Sequence, residues 1–265
     1  MIVIGEKINA SRKAVGQAIT GRDAALISEL AVSQDKAGAD YIDVNAGEGS
    51  QGVEDIQWLV ETVRSATSKP LTIDSDNPVL IEAGVNVYGD GEMMINSVTA
   101  EPERLNTIGP LAAECNANLV ALAMGAEGIP DNVKQRLDAC QVIMTALSAM
   151  GISEEKVYFD PLVLPVSVDG GQGQVTLETI REIKSRYPHA KTVVGLSNVS
   201  YGLPNRKLIN RAFLLMAAQA GLDAAIMDPL DEKMMSMVRI SRLLSGSDGS
   251  ARAYMRAHRS GKIVD

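Results

Sequence analysis

The stretch "LETIREIKSRYPHAKTVVGLSN", Leu177–Asn198, holds one complete helix-to-strand unit. Its first part predicts a helix over Leu177–Arg186, and the β-branched run "TVVGLSN" after Pro188 predicts a strand. The same alternation recurs along the chain. Eight strand candidates stand out: "IVIGEKI", "DYIDVNA", "LTIDS", "MMINSV", "NLVALAM", "VYFDPLVL", "TVVGLSN" and "AAIMD". Further helices are predicted over Gln51–Ser65, Asp131–Met150 and Asp231–Leu244, the last two opening just after Pro130 and Pro229. Repeated strand and helix order implies a parallel sheet. Eight units in about 250 residues fit a closed TIM (β/α)8 barrel better than an open doubly wound sheet. No GxGxxG follows the first strand, which also weighs against a dinucleotide fold. The barrel is expected over residues 1–245. Residues 246–265 read as a C-terminal tail or short terminal helix, because apolar periodicity fades there while Arg252, Arg256, Arg259 and Lys262 accumulate.

Composition narrows the function classes. At 265 residues, 46% apolar and 22% charged, the chain can bury a sizeable core as one α/β domain. A net charge of -8 argues against a nucleic-acid binder, which needs a basic stripe to displace counterions from phosphates. Cys115 and Cys140 share no ligand-like spacing and read as buried thiols in a reducing cytoplasm. The opening "MIVIGEKINA" lacks a basic leader, and "AFLLMAAQAGLDAAIM" is broken by Gln219 and Asp223, so neither a signal nor a membrane span is expected.

In a barrel of this kind the C-terminal strand ends and their loops form the catalytic face. That rule selects Glu6 and Asn9 after strand one, Asp43 and Asn45 after two, Asp74 after three and Asn96 after four. Strand six contributes Asp160, strand seven Ser197 and Asn198, and strand eight Met227 and Asp228. Buried Asp and Asn are costly unless hydrogen-bonded, so their repetition at strand ends points to a ligand. Any single one is equally well a loop or helix cap.

The absences are informative too. His189 precedes strand seven and His258 lies in the tail, so a His-based triad or His-rich zinc site is not expected, and no metal site is assigned. Lys7 suggests a Schiff base, but alternation turns it outward if Glu6 and Ile8 point inward. Carboxylates with carboxamides remain. That set suits a flat, nitrogen-rich heterocycle such as a pterin, whose ring-edge N–H groups match a carboxylate's paired acceptors, while an Asn serves both donors and acceptors.

The motifs "IGEKIN", "LTIDSDN", "MMINSV", "FDPLVLP", "TVVGLSNVS" and "NRKLINRAFLLMA" resemble those of the pterin-binding methyltransferases that move a methyl group between tetrahydrofolate and a corrinoid protein. The resemblance runs from the first strand to the eighth. It implies a TIM barrel, usually a homodimer, with no permanently bound cofactor. Tetrahydrofolate or 5-methyltetrahydrofolate is then a substrate, and cobalamin arrives on a partner protein. Carried over by motif, Asp74, Asn96 and Asp160 hold the pterin ring, Asn198 sits near its N5, and Gly195, Ser197 and Arg206 complete the pocket. Tyr201 and Gly202 follow the motif and are weaker candidates.

Within that resemblance the chemical problem is the leaving group. A nucleophilic cobalt attacks the N5-methyl carbon, and N5 departs as an amide anion unless it gains a proton or a strong hydrogen bond. An Asn carboxamide donates to N5 as charge develops and accepts through its oxygen once N5 is protonated. No side chain expected to titrate near neutral pH occupies the face, which leaves solvent as the proton source. Two alternatives stay open: a dihydropteroate synthase-like enzyme, whose loop after strand one and Ser-Arg-Lys motif are not found here, and a non-catalytic folate-binding or corrinoid-docking module. The chain carries no DxHxxG cobalamin signature, and the direction of transfer is not fixed. The methionines of "DEKMMSMVRI" suggest an adaptable outer surface for assembly.

Overall fold

In the computed structural model, residues 1–47 and 52–264 are described. Eight strands, β1 (Ile2–Asn9), β2 (Tyr41–Asn45), β3 (Leu71–Asp74), β4 (Met94–Val98), β5 (Asn118–Leu122), β6 (Val157–Asp160), β7 (Lys191–Gly195) and β8 (Ala224–Met227), close in sequence order into one parallel barrel. The last strand pairs back onto the first, Ile2 with Ala224 through Gly5 with Met227. This is the expected TIM barrel.

Helices α1 (Lys13–Thr20), α2 (Ala24–Ala37), α3 (Val53–Ala66), α4 (Pro78–Tyr88), α5 (Pro102–Glu114), α6 (Val133–Ala149), α7 (Gln172–Arg186), α8 (Arg206–Ala220) and α9 (Glu232–Leu244) join the strands and follow the last. The helix expected from Gln51 begins at Val53, and Gln51 itself lies outside the described residues. Asn132 and Asp231 cap α6 and α9, each accepting a backbone N–H three residues on, which trims those helices from their expected starts. A further helix, α10 (Arg252–Arg259), follows; beyond it, Lys262 O accepts from Arg239 and the Val264 N–H donates to Ser236, tying the chain back to α9.

Two strands stop earlier than their apolar runs. "VYFDPLVL" leaves the ladder at Asp160 because Pro161 has no N–H to donate. "TVVGLSN" leaves at Gly195, and Leu196–Ser200 winds into a 3-10 turn. Both exits occur at the mouth.

Alternation along the strands divides the core. Ile4, Tyr41, Met94, Val120, Tyr158, Val193 and Ala224 pack together inside the barrel. Ile42, Val44, Leu71, Ile73, Ile95, Leu119 and Phe159 pack outward beneath the helices, each burial contributing about 1.5–3 kcal/mol. β1 breaks the rule. Gly5 pairs with Ile42 but Ile8 with Val44, so Glu6 and Lys7 of β1 face the single Asp43 of β2 in a bulge. Ile8 thereby joins the outer core with Ile27 and Ile42, and Lys7 reaches Asp228 at the end of β8. The expected inward Ile8 and outward Lys7 are exchanged.

Met227 is also corrected. Ala224 and Ile226 take the inner face of β8, so Met227 is buried outside the barrel with Val3, Leu214 and Met234. Met234 and Met235 are buried in that same cluster and offer no outer assembly surface.

Candidate active site

Strand register carries polar residues to one level. Asn9 pairs with Asn45, Asn45 with Asp74, and Asp74 with Asn96, giving a row across four neighbouring strands at their C-terminal ends. Asn45 Nδ2 donates to Asp74 Oδ2 at 2.6 Å, while Asn45 Oδ1 accepts from the Gly47 N–H. Asn9 is occupied locally, its Oδ1 accepting from the Ser11 N–H at 2.9 Å. A cavity of about 770 Å³ opens beside this row, lined by Asn9, Asn45, Ser75, Asp76 and Leu80.

One level deeper, Asp43 pairs in register with Thr72. Asp43 is 2% exposed, and among the described residues neither its Oδ1 nor Thr72 Oγ1 has a hydrogen-bond partner. Burial, then the nearby Asp74 and Glu6, push the Asp43 carboxyl well above the usual range. Glu6 accepts from Arg12 at 3.3 Å, and burial raises its carboxyl despite that partner. Asp228 accepts from Lys7 Nζ at 3.0 Å through one oxygen and from the Leu230 N–H through the other.

Asp160, at the end of β6, accepts the Leu162 N–H on Oδ1 at 2.8 Å. Burial pushes it up to about 7, against the lowering effects of that N–H and of Arg136. Asp74 is pushed up to about 6 by burial, with the Asn45 amide opposing. Burial thus brings two carboxyls of the mouth towards neutral pH, where none is expected from the sequence.

The 3-10 turn after β7 carries Ser197 and an exposed Asn198. Arg206 Nη2 donates to Ser197 O at 2.7 Å and its Nε to Ser200 Oγ at 3.1 Å, so Arg206 braces the turn from the first residue of α8. Its guanidinium also lies 5.7 Å from the ring centre of Tyr201, which is largely exposed. Gly202 has a φ of +79°, a conformation glycine adopts without strain.

Glu6, Asp43, Asn45, Asp74, Asn96, Asp160 and Gly195 thus stand at or just below the strand ends and Asn198 and Asp228 just past them, while Met227 ends β8 with its side chain turned away from the mouth. Lys7 was turned outward because a bulge leaves no mark in the hydrophobic pattern. Arg104 and Arg136 were missed because an arginine in a helix reads as solvated. Among the described residues no group of three or more His, Cys, Asp or Glu side chains could hold a metal ion, and no helix is long and apolar enough to cross a membrane.

The chain matches the pterin binding enzyme family model over residues 5–228. It is 34% identical to the methylcorrinoid:tetrahydrofolate methyltransferase of Eubacterium limosum, over 99% of this chain and 98% of that protein. It is 31% identical to a methionine synthase of Mycobacterium tuberculosis, over 91% of this chain but only 21% of that much longer protein. Its fold is similar to that of a dihydropteroate synthase from Coxiella burnetii solved with pteroic acid, with a TM-score of 0.68 at 15% identity, covering 92% of each chain. The family match spans the strand ends from β1 to Asp228, and the chain belongs to the pterin-binding enzymes.

Proposed function

We propose that this chain is a methyltransferase moving a methyl group between N5 of tetrahydrofolate and the cobalt of a corrinoid carried by another protein. The observation that carries the reading is the pair of recessed carboxylates, Asp74 and Asp160. Among the described residues each has one oxygen bonded within the protein and the other not. Two acceptors left open at the mouth are free to take donors from a ligand, and a pterin edge supplies them. Asn96, in register with Asp74, adds an amide that serves ring donors and acceptors. The near full-length likeness to a methylcorrinoid:tetrahydrofolate methyltransferase supports the same chemistry.

The corrinoid supplies a cobalt that accepts or releases the methyl group. The chain's own part is to bind the folate, exclude water from N5 and manage its charge. Asn198 meets N5 from the turn after β7: Nδ2 donates as negative charge develops there, and Oδ1 accepts once N5 carries a proton. Arg206 holds that turn by its bonds to Ser197 and Ser200. Asp160 and Asp74 lie close enough to neutrality to take up or release a proton as folate binds. We read the chain as a homodimer that leaves both mouths open to the corrinoid protein. Its free Cys115 and Cys140 agree with a reducing cytoplasm.

Single-turnover mixing of the protein with tetrahydrofolate and methylcobalamin, and separately with methyltetrahydrofolate and reduced cobalamin, tests the reading and its direction. Methyl transfer is expected in at least one direction. Folate binding without transfer in either, with protein-bound as well as free corrinoid, would leave only a binding module.

A further inference from the structure

Two guanidinium groups lie directly behind the proposed pterin contacts. Arg136, in the first turns of α6, is fully buried. Its Nε donates to Pro130 O at 3.0 Å, its Nη1 to Pro161 O and Leu162 O at 2.8 Å each, and its Nη2 to Gln172 Oε1 at 2.9 Å. Pro161 and Leu162 directly follow Asp160. Leu162 adopts a left-handed φ of +67°, and its N–H is the one that Asp160 accepts. Arg104, in the first turn of α5, does the same on the other side of the mouth. Its Nε donates to Ser97 O at 2.8 Å, its Nη1 to Asp76 O at 2.5 Å and its Nη2 to Ser75 O at 3.0 Å. Ser75 and Asp76 follow Asp74, and Ser97 follows Asn96.

Among the described residues neither arginine makes an ion pair. Carbonyl acceptors satisfy the N–H groups of a buried guanidinium without neutralising it, and apolar side chains of similar volume pack without that cost. The planar fork is what an apolar residue or a lysine lacks: it fixes several carbonyls in one rigid geometry.

We propose that Arg136 and Arg104 are positioning residues of the methyl-transfer site, Arg136 setting the loop that aims Asp160 and Arg104 setting the two loops that aim Asp74 and Asn96. This rests on the pterin reading above. Arg136 also acts through charge, because its positive field favours ionised Asp160 against burial. The other titratable group of α6 near Asp160 is Cys140, whose thiol burial pushes up to about 12 and keeps neutral. Asp131, before α6, faces Arg136 and offsets part of its charge.

Calorimetric titration with tetrahydrofolate under anaerobic conditions, from acid to alkaline pH, tests this on Arg104→Lys, Arg136→Lys and Arg136→Gln, with melting curves alongside. Both lysine variants are expected to keep the wild-type melting temperature within a few degrees yet bind folate about tenfold or more weakly, since an ammonium cannot span two loops. Arg136→Gln is expected to move the pH midpoint of folate binding upward, and Arg136→Lys to leave it in place. Wild-type folate affinity in both lysine variants would overturn the proposal, as would weakening that only tracks loss of melting temperature with no midpoint change in any variant. If Arg136→Gln fails to fold, the two lysine variants decide. Asp160→Asn separates the two claims: if it binds folate like wild type, the pterin reading fails, whereas if it binds poorly while the lysine variants bind normally, only the positioning role fails.

Discussion

A Cβ on Gly195 would stand 3.1 Å from Nδ2 of Asn198. Gly195 has φ −73° and ψ 88°, so its backbone is open to any L residue, and the space it leaves is what the Asn198 amide uses. Gly195→Ala is therefore expected to fold normally and to push the amide aside by a few tenths of an ångström. Because transfer depends on near-contact geometry at N5, a slowing of about 10- to 100-fold follows, with a melting temperature close to wild type. Stopped-flow single-turnover rates check it. An unchanged rate would show that Asn198 need not hold this rotamer.

Asp74, Asp160 and Asn96 are expected to contribute to binding more than to chemistry. Removing one leaves ligand donors unpaired in a recessed pocket, a loss of about 1–3 kcal/mol in folate affinity. Asp74→Ala also frees the Asn45 amide that now donates to it. Unaltered tetrahydrofolate affinity in both Asp74→Ala and Asp160→Ala would dismiss the assignment.

Asp160 also predicts a trade between stability and binding. Its carboxyl titrates near 4 in an unfolded chain and at about 7 when folded. Between those values the folded state retains a proton that the unfolded state releases, so the contribution to stability present at low pH is lost as pH rises through 7. Asp160→Asn keeps an acceptor for the Leu162 N–H and removes the buried charge. At pH 8 it is expected to be more stable than wild type, on the order of 1–3 kcal/mol, with little gain at pH 4. Its folate affinity falls at the same time. Urea unfolding at the two pH values measures both stabilities, and a gain of equal size at each would refute the raised carboxyl.

The barrel was legible because each strand is a short apolar run, and the site because Asp or Asn closes most of those runs. Met227 shows a signal that was present but unused: Ala224, Ile226 and Asp228 share one parity, which sends Met227 to the helices. The β1 bulge carried no such signal, since "GEKI" reads as plain alternation until its partner strand is known. The near-neutral carboxyls of Asp74 and Asp160 were hidden for another reason. They arise from how deeply the finished barrel recesses them, a property of packing rather than of any local motif.

Assembly gives a simple outcome. A chain that exchanges a methyl group with a corrinoid on a large partner must leave the barrel mouth open, so self-association is expected on the outer helices. Light scattering at micromolar concentration should report a dimer, and single-turnover rates should not fall as the protein is concentrated. A monomer would remove the claim.

Asn198 is the residue on which the proposed chemistry turns. If its amide stabilises charge that changes on N5, its contribution is larger in the transition state than with bound folate, so Asn198→Ala is expected to slow transfer by on the order of 10²–10³ while weakening folate binding less. The structure makes this clean, because Asn198 is exposed on its turn and the turn is held independently by Arg206 on Ser197 O and Ser200 Oγ. Asn198→Asp is the sharper variant. It nearly preserves shape but replaces a donor with an acceptor at neutral pH, and it should regain part of its rate at lower pH as the carboxyl is protonated. That recovery opposes the direction expected for Asp160 and Asp74, whose ionised forms are proposed to hold the pterin, so rates must be read at saturating folate. Wild-type transfer in both Asn198 variants would mean that the residue only shapes the turn.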